Sequence, residues 1–218
     1  MSEAAYRDAF AVVGYELGTA DAVPDDEISR AETRLGCTIP LALRSFYRLA
    51  GNASRVMDHY DHLLWPEDWW LDGARLVFLT ENQSVVLYAV DTSVGKADPA
   101  VLMSSNAEPF EWFEVCASCS EFLRVMVHWE GAFGGAMPVT ATARVAKSIR
   151  SSLEVRLQLA GEVNSMWAYG KPGLAVCLVK WSDGWRVFIG ASGPERLADV
   201  EALGVVLETD KRRAGPQE

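Results

Sequence analysis

The chain has 218 residues, of which half are hydrophobic and 23% charged, the balance of a globular protein that buries its core without disulfides or metals. Its formal net charge of −10 disfavours nucleic acid as a direct partner, because an acidic surface repels phosphate backbones, whereas a basic protein would be attracted. No apolar run is long enough to cross a bilayer and the N-terminal residues are unlike a signal peptide, so we expect a cytoplasmic protein with no membrane partner.

The first quarter of the chain predicts three helices. Three carboxylates at 25–27 favour the start of the second helix, and Gly36 ends it. Pro40 suits the first turn of the third helix, which Gly51 ends. The first helix is indicated by apolar residues at helical spacing: Tyr6, Phe10 and Val13.

Residues 55–73 are irregular and aromatic, and the period then changes to that of strands. A helix capped by Ser118 or Ser120 is expected after these strands. The predicted strands cover residues 76–79, 85–90, 100–103 and 111–115, the first two joined through Thr80-Glu81-Asn82-Gln83.

The C-terminal part gives a less uniform pattern. Apolar residues from Val145 to Leu157 fit both a helix and, near their end, a strand; we favour a helix ending at 153–157. A hairpin is indicated around Ser182-Asp183-Gly184, followed by a short helix over 194–203. The polar tail, 209–218, is expected to be frayed.

Helices that precede strands indicate the α+β class, with an antiparallel β-sheet packed against the N-terminal helices and further flanking helices. We divide the chain into a core domain, 1–135, and a C-terminal α+β extension, 136–218, which packs on the same body.

The pattern of the predicted helix pair resembles the opening of the SUKH superfamily, named partly for a yeast regulator of cell-wall synthesis and killer-toxin resistance. The carrying run is Glu27-Ile28-x-x-Ala31-Glu32-x-x-Leu35-Gly36-x-x-Ile39-Pro40-x-x-Leu43-Arg44-x-Phe46-Tyr47-x-x-x-Gly51-Asn52, with later matches at Leu76-Val77-Phe78, Glu81-Asn82-Gln83, Tyr88-Ala89-Val90, Ala100-Val101, Trp112 and Glu121-Phe122-Leu123. The resemblance covers roughly 20–135 and implies an immunity protein that binds and neutralises a protein toxin. These residues have structural roles, at the ends of helices or in the core. They therefore identify a scaffold rather than a binding face.

Few residues suggest catalysis or metal binding. Cys116 and Cys119 form a CxxC, but without a βαβ context two packed thiols are favoured over a redox or zinc site. His59-x-Asp61-His62 could supply metal ligands or an acid–base pair, although its spacing is not that of a zinc helix. We therefore expect a non-enzymatic protein with no catalytic residue, no metal and no cofactor.

The aromatic segment is the main candidate for partner binding, because interface hot spots favour Trp and Tyr and flanking acids suit a basic partner. We select Tyr60, Asp61, Trp70 and Asp72. The polar connection Glu81-Asn82-Gln83 is the second candidate patch, with a strand turn bonded to its own backbone as the alternative. Rings that cap a satellite core are the alternative for the aromatic segment, and it is favoured for Trp65 and Trp69.

The predicted partner is thus a cognate, basic protein toxin. A regulatory interaction scaffold unrelated to toxins, or a small hydrolase using the segment 59–62, remains an alternative. The oligomeric state is left open by the sequence.

Overall fold

The computed structural model describes residues 3–209, which form seven α-helices and twelve strands. The helices are α1 Glu3–Val12, α2 Asp25–Leu35, α3 Leu41–Ala50, α4 Ser54–Met57, α5 Cys119–Ala132, α6 Ile149–Arg156 and α7 Ala198–Glu201. The strands are β1 His62–Leu63, β2 Trp70–Asp72, β3 Arg75–Thr80, β4 Val86–Asp91, β5 Val101–Ser105, β6 Phe113–Cys116, β7 Val139–Val145, β8 Gln158–Val163, β9 Met166–Lys171, β10 Leu174–Trp181, β11 Gly184–Ala191 and β12 Glu208–Thr209. The predicted α+β class is confirmed.

The predicted ends of the helices also agree with the structure. Gly36 follows α2 in the left-handed conformation, with φ of 65°, which a residue without a Cβ adopts at little cost. Ser118 is the residue that caps α5, and its hydroxyl accepts the Glu121 N–H at 3.2 Å. Over residues 3–209, no helix is long and apolar enough to span a bilayer.

The first sheet is antiparallel, with the strand order β1-β3-β4-β5-β6 and β2 paired to β3. Side chains alternate between its faces, so the pairing register assigns each residue to one of them. Phe78 and Tyr88 lie on the inner face, which packs against the helices. Val77 and Ala89 are partners in the register and lie on the outer face.

The second sheet is built from the C-terminal part of the chain, in the order β12-β7-β11-β10-β9-β8. One face packs against α5. The opposite face carries a separate apolar cluster that includes Leu153 of α6 and Val200 of α7. The strands beyond residue 136 therefore form a sheet of their own, with no β-ladder to the first sheet among the described residues.

Helix α5 is the central element, and 12 of its 14 residues are buried. Phe122 faces the first sheet, with its ring centroid 5.9 Å from that of Phe78 and 5.1 Å from that of Tyr88. Gly131, near the other end of α5, lies against Gly190 of β11. One continuous apolar cluster consequently includes residues from both sheets. The predicted boundary at residue 135 stays a prediction.

Two expectations for the C-terminal part need correction. Val145 ends strand β7, so the helix that reaches Arg156 begins only at Ile149. The β8–β9 hairpin was not predicted, because its turn uses Asn164 and Ser165 at positive φ instead of the Asn-Gly or Asp-Gly pair that identifies such turns. Thr209, placed in the frayed tail, pairs with Ala141, whereas the rest of that predicted tail, 210–218, lies outside the described residues.

Candidate partner-binding surface

The seven residues selected from the sequence fall into two groups at opposite ends of β3. Asp72 pairs with Arg75 where β3 begins, and Glu81 follows the last residue of β3. Five steps along a strand at about 3.3 Å each separate the two ends by about 17 Å. We call the first group, Tyr60, Asp61, Glu81, Asn82 and Gln83, the turn group, and treat Trp70 and Asp72 separately.

Within the turn group, hydrogen bonds to the backbone dominate. Asp61 is buried, and its Oδ1 accepts the Asn82 N–H at 3.1 Å. The Glu81 carboxylate accepts the Gln83 N–H at 3.0 Å, so this side chain supports its own turn, as the alternative interpretation expected. Gln83 itself is exposed. Burial raises the pKa of Asp61 to about 6.

Glu130 of α5 fixes the segment that carries Tyr60 and Asp61. Its two carboxylate oxygens accept the N–H groups of Tyr60 and Asp61, at 2.7 and 2.9 Å. The side chain is almost inaccessible, and desolvation raises the pKa of Glu130 to about 8, against the opposing effect of the two donors. Sequence reasoning missed this residue, although a single acid within the apolar run of α5 is a signal of a buried polar contact.

The ring of Tyr60 lies on the seam between the two sheets. It stacks on Phe133 with a centroid distance of 3.9 Å, and Phe133 in turn stacks on Phe188 of β11 at 5.0 Å. These rings border a groove of about 340 Å³ whose other walls include Thr140 and Glu208. Tyr60 is therefore half-buried and contributes mainly to the packing of this seam.

Trp70 belongs to an aromatic cluster on the outer face of the first sheet. Its ring centroid lies 5.5 Å from that of Phe110, which lies 6.2 Å from that of Trp112. The three half-buried rings cover the small apolar cluster of Val77, Leu87 and Ala89. Sequence reasoning missed Phe110 and Trp112 as site residues, although aromatic and acidic residues are interspersed throughout 108–114.

Carboxylates surround this aromatic cluster. Asp72 Oδ2 accepts the indole N–H of Trp112 at 2.7 Å, which ties the carboxylate to the ring. Arg75 lies 3.6 Å from the same carboxylate. Glu114, opposite Leu102 in the ladder, and Glu111 are both exposed. We define the outer-face patch as Trp70, Asp72, Phe110, Glu111, Trp112 and Glu114.

The neighbouring Trp69 has a different role. It is 1% exposed, and its indole N–H donates to the hydroxyl of Tyr47 at 3.1 Å. Trp65 is half-buried against the main core. Both rings thus belong to the main core, whereas the alternative interpretation expected them to cap a satellite cluster, which is what Trp70 does.

The histidines of 59–62 do not assemble a catalytic or metal-binding arrangement. His62 Nδ1 lies 2.6 Å from an Asp58 carboxylate oxygen, and His59 Nε2 lies 3.0 Å from the carbonyl of Phe133. Asp61 is turned instead to the backbone of Asn82. Within residues 3–209, no group of three or more His, Cys, Asp or Glu side chains could hold a metal ion.

The CxxC thiols are packed in the interior. Cys116 and Cys119 are both buried and unbridged, and desolvation raises the pKa of each thiol. A reactive cysteine requires a lowered pKa and access to solvent. These two thiols therefore have the properties of structural cysteines.

Comparison with protein families finds a match over residues 22–125 to the family described as SMI1 / KNR4 family (SUKH-1). The matched region extends from the residues before α2 into α5 and contains the whole first sheet, the turn group and the outer-face patch. Neither the curated proteins nor the solved structures contain a match to this chain.

Proposed function

Because residues 22–125 belong to the SMI1/KNR4 family (SUKH-1), we propose that this chain is a non-enzymatic, immunity-type protein that binds a cognate, basic protein toxin and neutralises it. The observation that supports this proposal is the outer-face patch. It lies on the matched sheet and combines three rings with three carboxylates.

The composition of the patch is that of a protein-binding surface. Tryptophan is enriched at interface hot spots, where it offers a large apolar area with few rotatable bonds. Trp70 and Trp112 are already held in place, by Phe110 and by Asp72 respectively, so their ordering costs little on binding. The rings are therefore expected to supply most of the affinity.

The carboxylates favour a basic partner. Asp72 is near one cation, Arg75, whereas Glu111 and Glu114 are exposed and have no salt bridge within the described part of the chain. With a net charge of −10 for the whole chain, such a surface accelerates encounter with a positively charged protein. Because this attraction is screened by salt, association should slow as ionic strength rises.

The turn group is proposed as a second contact region for the same toxin. A standard interface buries about 800 Å² on each partner, a patch about 30 Å across. That span exceeds the separation of about 17 Å between Asp72 and Glu81 along β3. One bound toxin can therefore extend from the outer-face patch to the exposed side of Gln83.

The proposal is tested by searching the genes beside the gene for this chain for a candidate toxin and expressing it together with this chain. Co-expression with the wild-type chain should restore the growth of cells that produce the toxin. Replacement of both Trp70 and Asp72 by Ala should weaken binding by roughly 100-fold, since a central Trp at an interface contributes on the order of 2 kcal/mol or more. The affinity is measured by calorimetry and the association rate by stopped-flow kinetics, each at low and high salt.

A matched control comes from the second sheet. Trp181→Ala combined with Glu201→Ala likewise removes one ring and one acid, but at exposed positions outside the matched region. This control should bind as the wild type does. Equal binding by the Trp70/Asp72 variant, or an association rate that does not change with salt, would show that the outer-face patch is not the toxin-binding surface.

A further inference from the structure

A small cleft lies where α1, α5 and the β8–β9 hairpin meet, on the opposite side of α5 from the outer-face patch's sheet. Its volume is about 190 Å³. Four of its lining side chains are charged or polar, and none of them has a part in the proposed toxin contact. The lining residues are Ala5, Asp8, Ala9, Val12, Arg124, His128, Gln158, Leu159, Ala160 and Gly170.

Two opposite charges line this cleft without neutralising each other. Arg124 donates through Nε to the Ser120 carbonyl at 3.4 Å, and within residues 3–209 its guanidinium has no carboxylate partner. Asp8 on α1 is exposed and likewise takes part in no salt bridge among the described residues. Both groups are therefore available to a bound molecule.

His128 supplies a hydrogen-bond acceptor at the bottom of the cleft. Its Nδ1 lies 2.9 Å from the Arg124 carbonyl, which can only accept, so Nδ1 carries the proton and Nε2 presents a lone pair. The residue is 3% exposed, and burial lowers the pKa of the imidazole to about 4, so the ring is neutral at pH 7. Among residues 3–209, no protein donor reaches Nε2, so this lone pair can accept a hydrogen bond from a molecule in the cleft.

Gly170 of β9 lines the cleft beside this lone pair. A Cβ at this position would stand 3.0 Å from His128 Nε2 and 2.5 Å from Val12 Cγ1. Any larger residue would fill the space in front of the imidazole or push α1 away from β9. The absence of a side chain at Gly170 thus lets β9 pack closely against α1 and α5 at the wall of the cleft.

We propose that this cleft binds a small zwitterion of the amino-acid class. Its carboxylate would lie on the Arg124 guanidinium, and its ammonium group would donate to His128 Nε2 and the Asp8 carboxylate. A short aliphatic side chain would contact Ala9, Val12 and neighbouring apolar residues.

The volume of the cleft sets an upper limit on the size of the ligand. Sites for drug-sized molecules occupy about 300–1,000 Å³, and this cleft is smaller. It holds roughly six water molecules at about 30 Å³ each, which corresponds to a molecule of about six to ten heavy atoms. Alanine or valine satisfies this limit, whereas a nucleotide or a peptide does not.

The test uses the full chain labelled with ¹⁵N and titrated with L-alanine, L-valine, acetate and ethylammonium, without any toxin. The two amino acids should cause saturable shifts of the Gly170 and Ala160 amides. Acetate and ethylammonium each carry only one of the two charges, so each should bind at least about tenfold more weakly.

Arg124→Gln keeps a polar side chain but removes the cation, and it should weaken amino-acid binding by at least about tenfold. Arg156→Gln is the matched control, because Arg156 is an exposed cation on α6 that does not line the cleft, and its binding should equal that of the wild type. The proposal would be overturned by acetate binding as tight as alanine binding, by unchanged alanine affinity in Arg124→Gln, or by the absence of a saturable shift up to about 1 mM, the upper end of the range near physiological substrate levels.

Discussion

The substitution Gly190→Ala tests most directly whether α5 packs on the second sheet and joins the two halves of the chain. A Cβ on Gly190 would stand 1.9 Å from the Gly131 carbonyl oxygen of α5, whereas ordinary contact begins at 3.4 Å. The difference, 3.4 − 1.9 = 1.5 Å, has to be relieved by separating a helix backbone from a strand backbone. Gly190 is not at positive φ, so backbone strain at the residue itself does not contribute.

The expected cost of Gly190→Ala follows from this overlap. Overpacking of a core costs about 1–3 kcal/mol, and we expect the upper end because the contacted atom belongs to the backbone rather than to a flexible side chain. For a chain of this size, about 3 kcal/mol lowers the melting temperature by about 6–12 °C. The measurement is urea unfolding at 25 °C, together with a thermal scan.

Gly18→Ala is the control for this experiment. A Cβ at Gly18 would lie 3.8 Å from its nearest neighbour, Asp21 Oδ2, and the φ of Gly18 is −105°. This variant should match the wild type or gain up to about 1 kcal/mol, because Ala restricts the unfolded chain. If Gly190→Ala unfolds within about 0.5 kcal/mol of the wild type, the direct contact between α5 and β11 is wrong.

Three further predictions concern single residues. The pKa of Glu130 is about 8 in the folded protein and 4.5 in its ordinary state, so the free energy of unfolding should fall as the pH rises between these values, by at most on the order of 5 kcal/mol. Glu130→Gln should flatten this pH dependence in urea titrations. An equal pH dependence in the variant and the wild type would refute the assignment. Gly36→Ala places a Cβ at a φ of 65° and should cost about 1 kcal/mol in the same assay, with no loss at all arguing against the left-handed helix end. Cys37, the half-exposed thiol, should react with a disulfide reagent before buried Cys119 in the native protein, and equal rates would contradict the described packing.

Much of the local structure could be predicted from short-range signals. Gly36, the capping serine at 118 and the turn around Asp183 each impose a backbone geometry through their own chemistry, so the structure agrees with them. The hairpin at Asn164 was missed for the same reason, since its turn residues are not the usual ones. Chain segments whose residues carry a clear local preference were thus predictable.

The candidate site was less predictable, because burial depends on contacts that are remote in sequence. Trp69 and Trp70 are adjacent and chemically identical, yet one lies in the core and the other on the outer face of the first sheet. Their difference follows from the pairing of β2 with β3, which the local sequence does not encode. Tyr60 was selected for a surface, and the structure places it half-buried against Phe133, 73 positions further along the chain (133 − 60 = 73).

The sequence by itself determined the composition of this protein: its negative charge, its order of helices and strands, and a helix-pair pattern that resembles the SUKH superfamily. Only the tertiary structure decided that two sheets enclose α5, that Glu130 reaches the backbone of Tyr60, and that Phe110 and Trp112 join Trp70. Charge and helix caps act over a few residues, whereas enclosure and burial arise from the packing of segments far apart in the chain.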